Sequence, residues 1–190
     1  MVNPKVMSAL EEYYSHYLST SNITSKFNLD AEHTFPTMDY GNQCSQSRSP
    51  YISKCDYDGA GEGLNQLYSS MKKGTSMSSN VLAFDQTDFF KGSDTSLGDL
   101  GYIYVPTACA TSSTPCSLHI ALHGCEQTLD DIDTDFVMNA GYNDWAEESN
   151  IIVLYPQVSR SNKITLNNPN GCWDWWAYTN SDYATKSEFR

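Results

Sequence analysis

Two short apolar runs with a helical stretch between them set the fold class of this chain. Residues 118–122 and 151–155 are apolar and bounded by turn residues, which predicts two strands. Residues 136–148 carry apolar side chains at helical spacing, although Gly141 weakens the helix prediction. This pattern is typical of a βαβ unit in an open parallel sheet. The chain is therefore predicted to be α/β, with its site at the carboxyl ends of the strands.

The region before this unit contains fewer regular elements. An N-cap Asn followed by Pro predicts a helix over 4–18, and apolar spacing predicts a short helix over 63–71. Residues 19–58 are rich in Ser, Asn, Pro and Cys and are expected to be mostly loop. We interpret the chain as one domain, with a soft polar linker over 72–80. Two further strands are predicted at 81–84 and 101–105.

Composition and charge exclude several classes of protein. With 11 Lys and Arg against 23 Asp and Glu, the net charge is −12, so the basic stripe that nucleic-acid binding requires is missing. The apolar runs are far shorter than the roughly 20 residues of a membrane-spanning helix. We therefore expect neither a nucleic-acid partner nor insertion into a membrane.

The cysteines indicate where the protein works. Six cysteines without a C-x-x-C pair or a zinc-type Cys/His cluster predict disulfides, and hence an oxidising, extracellular compartment. Residues 1–5 show neither the basic start nor the apolar stretch of a signal peptide. We therefore expect a secreted protein of which this chain is the mature part, or a chain whose beginning is missing. No metal and no organic cofactor is predicted.

A candidate site follows the first of the two strands. His123, Gly124 and Cys125 come directly after the run 118–122, where a sharp turn can present backbone N–H groups above the sheet. Such donors stabilise a developing oxyanion. The alternative is a tight turn with a buried histidine and no catalytic role.

Four motifs around this turn carry a family resemblance. They are Leu122-His-Gly-Cys-Glu-Gln127, Ala140-Gly-Tyr-Asn143, Tyr155-Pro-Gln157 and Asn170-Gly-Cys-Trp-Asp-Trp-Trp176. In this order they resemble the extracellular polyhydroxybutyrate (PHB) depolymerases and feruloyl esterases, which are α/β-hydrolases with a Ser-His-Asp triad. The resemblance implies a three-layer αβα fold with a mostly parallel sheet. It also implies that His123 and Gly124 form the oxyanion turn, with the N–H of Cys125 as donor.

The first part of the chain resembles one branch of that family, the circularly permuted depolymerases. In that branch a segment like 31–37 carries the catalytic histidine and precedes the H-G-C turn, as here. The resemblance therefore implies that His33 is the general base, a role that imidazole can perform near neutral pH. His16 and His119 receive no role.

Six cysteines permit 15 pairings. Short loops together with the family resemblance favour three of them: Cys44 with Cys55, Cys109 with Cys116, and Cys125 with Cys172. The last pairing would make Cys125 a structural anchor rather than a thiol nucleophile.

The chain departs from the family in one decisive respect. No G-x-S-x-G nucleophile motif occurs in it, and no Asp precedes Val2, where the permuted branch places the catalytic acid. We therefore expect the carboxyl-terminal portion of a longer depolymerase, incomplete at the N-terminal side, with a degenerate paralogue as the alternative. On this interpretation the isolated chain is inactive and poorly stable.

A second constellation of residues is aromatic. Trp173, Trp175, Trp176 and Tyr178 could lie flat on an insoluble polymer and are predicted to bind substrate. The alternative is that they pack in the core beside Cys172.

The predicted function is that of a secreted, monomeric ester hydrolase acting on PHB or a related short-chain polyester. Its expected partner is a polyester or other polymer surface. The alternatives are a feruloyl or acetylxylan esterase, and a catalytically dead protein that binds polymer or carbohydrate.

Overall fold

The computed structural model describes residues 3–90, 96–111 and 113–179. In chain order the helices are α1 (Pro4–Ser15), α2 (Gly59–Leu67), α3 (Leu129–Ile132), α4 (Asp135–Asn139) and α5 (Tyr142–Ser149). The strands are β1 (Phe35–Thr37), β2 (Asn42–Gln43), β3 (Ile52–Lys54), β4 (Val81–Asp85), β5 (Leu100–Tyr104), β6 (Ser117–Ile120), β7 (Ile151–Tyr155), β8 (Ser161–Lys163) and β9 (Leu166–Asn168). Short 3-10 turns lie at Thr20–Asn22, Ser78–Asn80, Gln86–Asp88 and Thr107–Cys109.

The central sheet has four strands in the order β4-β5-β7-β6. β6 and β7 are parallel and are joined through α3, α4 and α5, which confirms the predicted strand–helix–strand unit. However, β5 pairs antiparallel with both β4 and β7, so this sheet is mixed and not mostly parallel as expected. Apolar runs predict strands but carry no signal of direction, and sheets that mix parallel and antiparallel pairs are common.

One face of this sheet carries the hydrophobic core. In β7 the burial alternates, and Ile151, Val153 and Tyr155 are buried against Phe136 and Ala146 of the helices. No described helix forms a matching cluster on the opposite face. Within the described residues the architecture is therefore two layers, whereas the resemblance implied three.

The observed helices differ from the predicted ones where glycine conformation and helix capping set their ends. Gly141 has φ +94°, a left-handed conformation that ends α4 and starts α5, so the predicted helix over 136–148 is divided. α2 begins four residues before the predicted start because the Asp58 carboxylate caps it by accepting from the N–H of Gly61. α1 is confirmed but ends at Ser15, and none of its residues is buried.

Residues 19–58 contain more order than their composition indicated. β1, β3 and β2 form a small parallel sheet that the Cys44–Cys55 disulfide closes. The disulfides Cys109–Cys116 and Cys125–Cys172 complete the predicted pairing, which is confirmed.

The segment 72–80, predicted as a soft linker, runs along α5. The N–H of Gly74 donates to the Asp144 carbonyl at 2.8 Å. The N–H of Ser76 donates to the Asp144 carboxylate at 3.0 Å, and the N–H of Lys72 donates to Ser149 Oγ at 2.9 Å. These bonds fix the segment to the helix. None of the described helices is long and apolar enough to cross a bilayer.

Candidate active site

His33 and Cys125 lie on the same cavity. The cavity has a volume of about 1000 Å³ and is bounded by the start of α1, the segment 26–35, and the turn 122–127. The two residues belong to separate parts of the sequence, 92 positions apart in the printed numbering. The structure therefore brings together the two residues for which the family resemblance implies catalytic roles.

The turn after β6 is held by the side chain of Gln127. Its Oε1 accepts from the N–H of Gly124 at 2.7 Å, and its Nε2 donates to the carbonyls of Pro50 and Tyr51 at 2.9 and 3.2 Å. Gln127 is buried. One amide therefore connects the turn to the chain that leads into β3.

The backbone of the turn leaves the N–H of Cys125 available at the cavity. The N–H of Gly124 is bound to Gln127, and the N–H of Glu126 donates to the Asn170 carbonyl at 2.7 Å. Among the described residues none accepts from the N–H of Cys125, and this residue is exposed. A backbone N–H in this state can bind an anionic oxygen.

Gly124 is required by this arrangement. A Cβ at this position would lie 2.9 Å from Gln127 Oε1, the atom that accepts its own N–H. Any side chain would therefore push the amide of Gln127 out of the turn.

The disulfide to Cys172 fixes the turn from the other side. The two Cα atoms lie 4.3 Å apart. All six cysteines are in disulfides, so Cys125 has no thiol with which to attack a substrate.

The His123 side chain is buried, and both of its ring nitrogens are hydrogen-bonded within the chain. It is 3% exposed, and its Nε2 accepts from the N–H of Val158 at 3.2 Å. Its Nδ1 lies 2.8 Å from the Gly124 carbonyl and must therefore carry the proton. Burial lowers the pKa of this imidazole below its ordinary value. His123 is thus a neutral residue that braces the turn.

His33 is exposed, while its backbone is fixed. The N–H of Glu32 donates to the Cys44 carbonyl at 3.0 Å, and Ser47 Oγ donates to the His33 carbonyl at 3.2 Å. In the described part of the chain no hydrogen bond restrains the imidazole of His33. Hydrogen bonds of the described residues therefore leave the orientation of the ring unconstrained at the cavity.

The four predicted substrate-binding aromatics fall into two groups, and none of them lines the cavity formed by described residues. Trp173 packs on His123 and donates from Nε1 to its carbonyl at 3.0 Å, while the Tyr178 hydroxyl donates to the Cys172 carbonyl at 2.7 Å. Trp175 is 70% exposed and forms an edge-to-face pair with Trp176. Contact with a polymer stays a prediction for all four.

Sequence reasoning gave no role to a polar pair on the cavity wall. The Tyr51 hydroxyl donates to the Glu126 carboxylate at 2.7 Å, and this bond raises the pKa of the phenol. Glu126 lies in the motif 122–127, yet its contact with Tyr51 spans 75 positions, which no local pattern reveals.

No serine lines the cavity among the described residues. The hydroxyl of Thr34 lies there but is bound to Ser53 Oγ at 2.8 Å. Within residues 3–90, 96–111 and 113–179, no group of three His, Cys, Asp or Glu side chains could hold a metal ion. The described part of the cavity thus presents an exposed imidazole and a backbone N–H without an acceptor.

Comparisons with known proteins identify relatives of this chain. No protein-family model matches the chain. A polyhydroxybutyrate depolymerase from Talaromyces funiculosus is 43% identical over 95% of this chain and 57% of its own length. A poly(3-hydroxybutyrate) depolymerase from Delftia acidovorans is 39% identical over 98% of this chain and 37% of its own length.

Solved structures give the same result. The crystal structure of a PHB depolymerase from Penicillium funiculosum superposes with a TM-score of 0.86 at 41% identity, covering 96% of this chain and 61% of that one. A PHB depolymerase with one serine replaced by alanine, complexed with an R3HB trimer, gives 0.87 at 42% identity with the same coverage. Over nearly its whole length the chain is therefore a homologue of the PHB depolymerases, and it spans 37% to 61% of those that it matches.

Proposed function

We propose that this chain supplies the general base and the oxyanion donor of an esterase site that cleaves PHB or a related short-chain polyester. The observation that carries the proposal is that His33 and Cys125 line one cavity. The nucleophilic serine and the acid that orients His33 would come from polypeptide outside these 190 residues.

In that site the two groups assist the same reaction in different ways. His33 accepts the seryl proton during attack on the ester carbonyl and returns it to the leaving alcohol. The N–H of Cys125 stabilises the oxyanion of the tetrahedral intermediate, a contribution typically worth a factor of about 100 to 1,000 in rate.

The comparisons support the substrate class. A relative that matches 96% of this chain is described in complex with an R3HB trimer, and its complex was obtained with a serine replaced by alanine. A serine-dependent reaction on hydroxybutyrate esters is the simplest function for a homologue. The order of His33 before the turn 122–127 supports the circularly permuted arrangement of the α/β-hydrolase fold.

The environment that we propose is extracellular. Three disulfides persist in oxidising compartments. A neutral polyester exerts no electrostatic pull, so the charge of −12 serves solubility and not substrate attraction. Function as a monomer without a cofactor is part of the proposal.

A second candidate is a polymer-binding protein without activity. The absence of a serine among the described residues that line the cavity favours it, as does the exposure of Trp175 and Trp176. In that case the chain would adsorb to polyester granules and hydrolyse nothing.

The test measures hydrolysis of an (R)-3-hydroxybutyrate trimer by the chain alone and with the unmatched part of the Talaromyces relative, produced separately. We expect hydrolysis and fluorophosphonate labelling only in the mixture, and loss of both with His33→Gln. His16→Gln, an exposed histidine on another segment, is the control. Feruloyl and acetylxylan esters are run in parallel, and a preference for them would replace the polyester. Labelling of the chain alone would contradict the proposal.

A further inference from the structure

Asn22 ends the 3-10 turn that follows α1 and begins the tripeptide Asn22-Ile23-Thr24. This is the only N-x-S/T tripeptide in the sequence whose middle residue is not proline. Such a tripeptide is the acceptor sequence for N-linked glycans on exported proteins, where the modified asparagine lies at the surface. The tripeptide is short and arises often by chance, so the surroundings of the asparagine decide whether the folded chain can carry a glycan there.

The side chain of Asn22 is open to solvent. The residue is exposed, and its side-chain amide makes no hydrogen bond to any described residue. Its backbone, by contrast, is fixed on both sides: the N–H donates to the Ser19 carbonyl at 2.8 Å, and the carbonyl accepts from Gln66 Nε2 at 2.9 Å. A bulky group on the amide nitrogen therefore breaks none of the contacts that hold this turn.

The side chain of Gln66 holds the tripeptide at both ends. Its Nε2 donates to the Asn22 carbonyl, and its Oε1 accepts from the Thr24 hydroxyl at 2.7 Å. Gln66 belongs to α2 and is itself exposed. The tripeptide is thus fixed to the surface of α2 through its backbone and its threonine, while the asparagine amide remains in water.

Two other asparagines stand at the same spacing before a cysteine, in Asn42-Gln-Cys44 and Asn170-Gly-Cys172. Both cysteines are in disulfides, so in the folded chain neither presents an S–H in place of the threonine hydroxyl. The amide of Asn42 also donates to the carbonyls of Arg48 and Ser49 at 2.9 and 3.2 Å. A glycan at Asn42 would break these bonds, whereas one at Asn22 has none to break.

We propose that Asn22 carries an N-linked glycan when the chain is exported by a cell that has an oligosaccharide transferase. The amide nitrogen attacks the anomeric carbon of a lipid-linked oligosaccharide diphosphate. A C–N bond forms, the C–O bond to the diphosphate breaks, the lipid diphosphate leaves, and the amide gives up one proton. The inference rests on the extracellular environment of the proposed function and does not depend on ester hydrolysis.

The test secretes the full 190-residue chain from a eukaryotic host behind an added leader. We expect peptide-N-glycosidase F to remove one glycan and to convert Asn22 to Asp, detected by peptide mapping in heavy-oxygen water. Asn22→Gln and Thr24→Val should lose the glycan completely, whereas Thr24→Ser, which keeps the hydroxyl, should retain it. Asn170→Gln, at an exposed asparagine outside the tripeptide, is the matched control and should be glycosylated like the unmodified chain.

Attachment, folding and activity are read separately. The glycan is sought on secreted and cell-retained chain alike, so poor secretion does not hide it. Because the Asn22 amide has no described partner, the glycosylated and deglycosylated chains should have thermal midpoints within about 4 °C of each other.

Three outcomes would overturn the inference: an unmodified Asn22 in both fractions, a glycan at Asn42 or Asn170 instead, or a midpoint that the glycan lowers by more than this margin. A glycosylated chain that hydrolyses no trimer in the mixture described above would contradict the proposed function and leave the glycan site in place.

Discussion

At the scale of single residues, Gln127 determines the shape of the candidate site. Its side-chain amide makes three hydrogen bonds from a buried position, one to the turn and two to the chain before β3. Sequence reasoning quoted this residue in a motif but gave it no role, because both carbonyls that it binds lie more than 70 positions away. The roles of His33 and Cys125 were predicted from the family resemblance, which rests on short local motifs.

We predict that Gln127→Ala destabilises the chain by about 2 to 4 kcal/mol, since it removes three hydrogen bonds and leaves the Pro50 carbonyl and the N–H of Gly124 without protein partners. Gln66→Ala is the matched control, because Gln66 also makes hydrogen bonds but is exposed. Urea unfolding measures both variants. Equal, small losses would show that the buried amide does not hold the turn.

His123 predicts a pH dependence of stability. Burial lowers its pKa in the folded chain, so the unfolded chain binds a proton more readily. Stability is therefore fully present above the ordinary value of 6.5 and is lost as the pH falls towards the folded pKa. One such group gives a slope of at most about 1.4 kcal/mol per pH unit.

The measurement is the free energy of unfolding between pH 8 and 5. His123→Gln should flatten the slope in this window relative to the unmodified chain. His119, whose pKa burial also lowers, contributes in the same direction and is replaced by Gln in a second variant. An unchanged slope in His123→Gln would mean that the neutral imidazole is not what the fold requires.

At the scale of elements, what the sequence predicted depended on periodicity. The four strands of the central sheet were placed within two residues at each end, because their apolar runs are bounded by turn residues. The direction of each strand could not be predicted, nor which face of the sheet carries the core, since both depend on contacts between distant segments. The division of the helix at Gly141 had a visible signal, because glycine alone adopts a left-handed conformation at little cost.

Gly141→Ala and Gly63→Ala should have opposite effects on stability. At Gly141 a Cβ has room, with its nearest atom 3.6 Å away, but φ is +94°, so alanine should cost about 1 to 2 kcal/mol. Gly63 lies within α2 with nothing within 4 Å of a Cβ, so alanine should stabilise by about 0.4 to 1 kcal/mol. Thermal unfolding measures the pair, and a loss at both positions would contradict the backbone argument.

At the scale of the whole molecule, the disulfides connect segments of very different separation. Cys109–Cys116 spans 7 positions, whereas Cys125–Cys172 spans 47 and joins the turn to the aromatic segment. The motif resemblance predicted all three pairs. The sequence does not reveal that the third bridge fixes the turn 122–127 beside the cavity, because this depends on the three-dimensional position of both segments.

Removing these bridges one at a time should rank their contributions. In the chain-entropy treatment, replacing both cysteines by serine costs about 4 kcal/mol for Cys125–Cys172 and about 2 kcal/mol for Cys109–Cys116. Denaturant midpoints of the two double variants test the order. The reverse order would indicate that strain or residual structure, and not loop closure, governs these bridges.

α1 has a further consequence for the cavity that it borders. Pro4 and Met7 line that cavity, yet no residue of this 12-residue helix is buried. Isolated helices of about this length are marginal in water. The rim of the cavity on this side is thus held by helix propensity more than by packing, and a local helix–coil transition there would relax in about a microsecond.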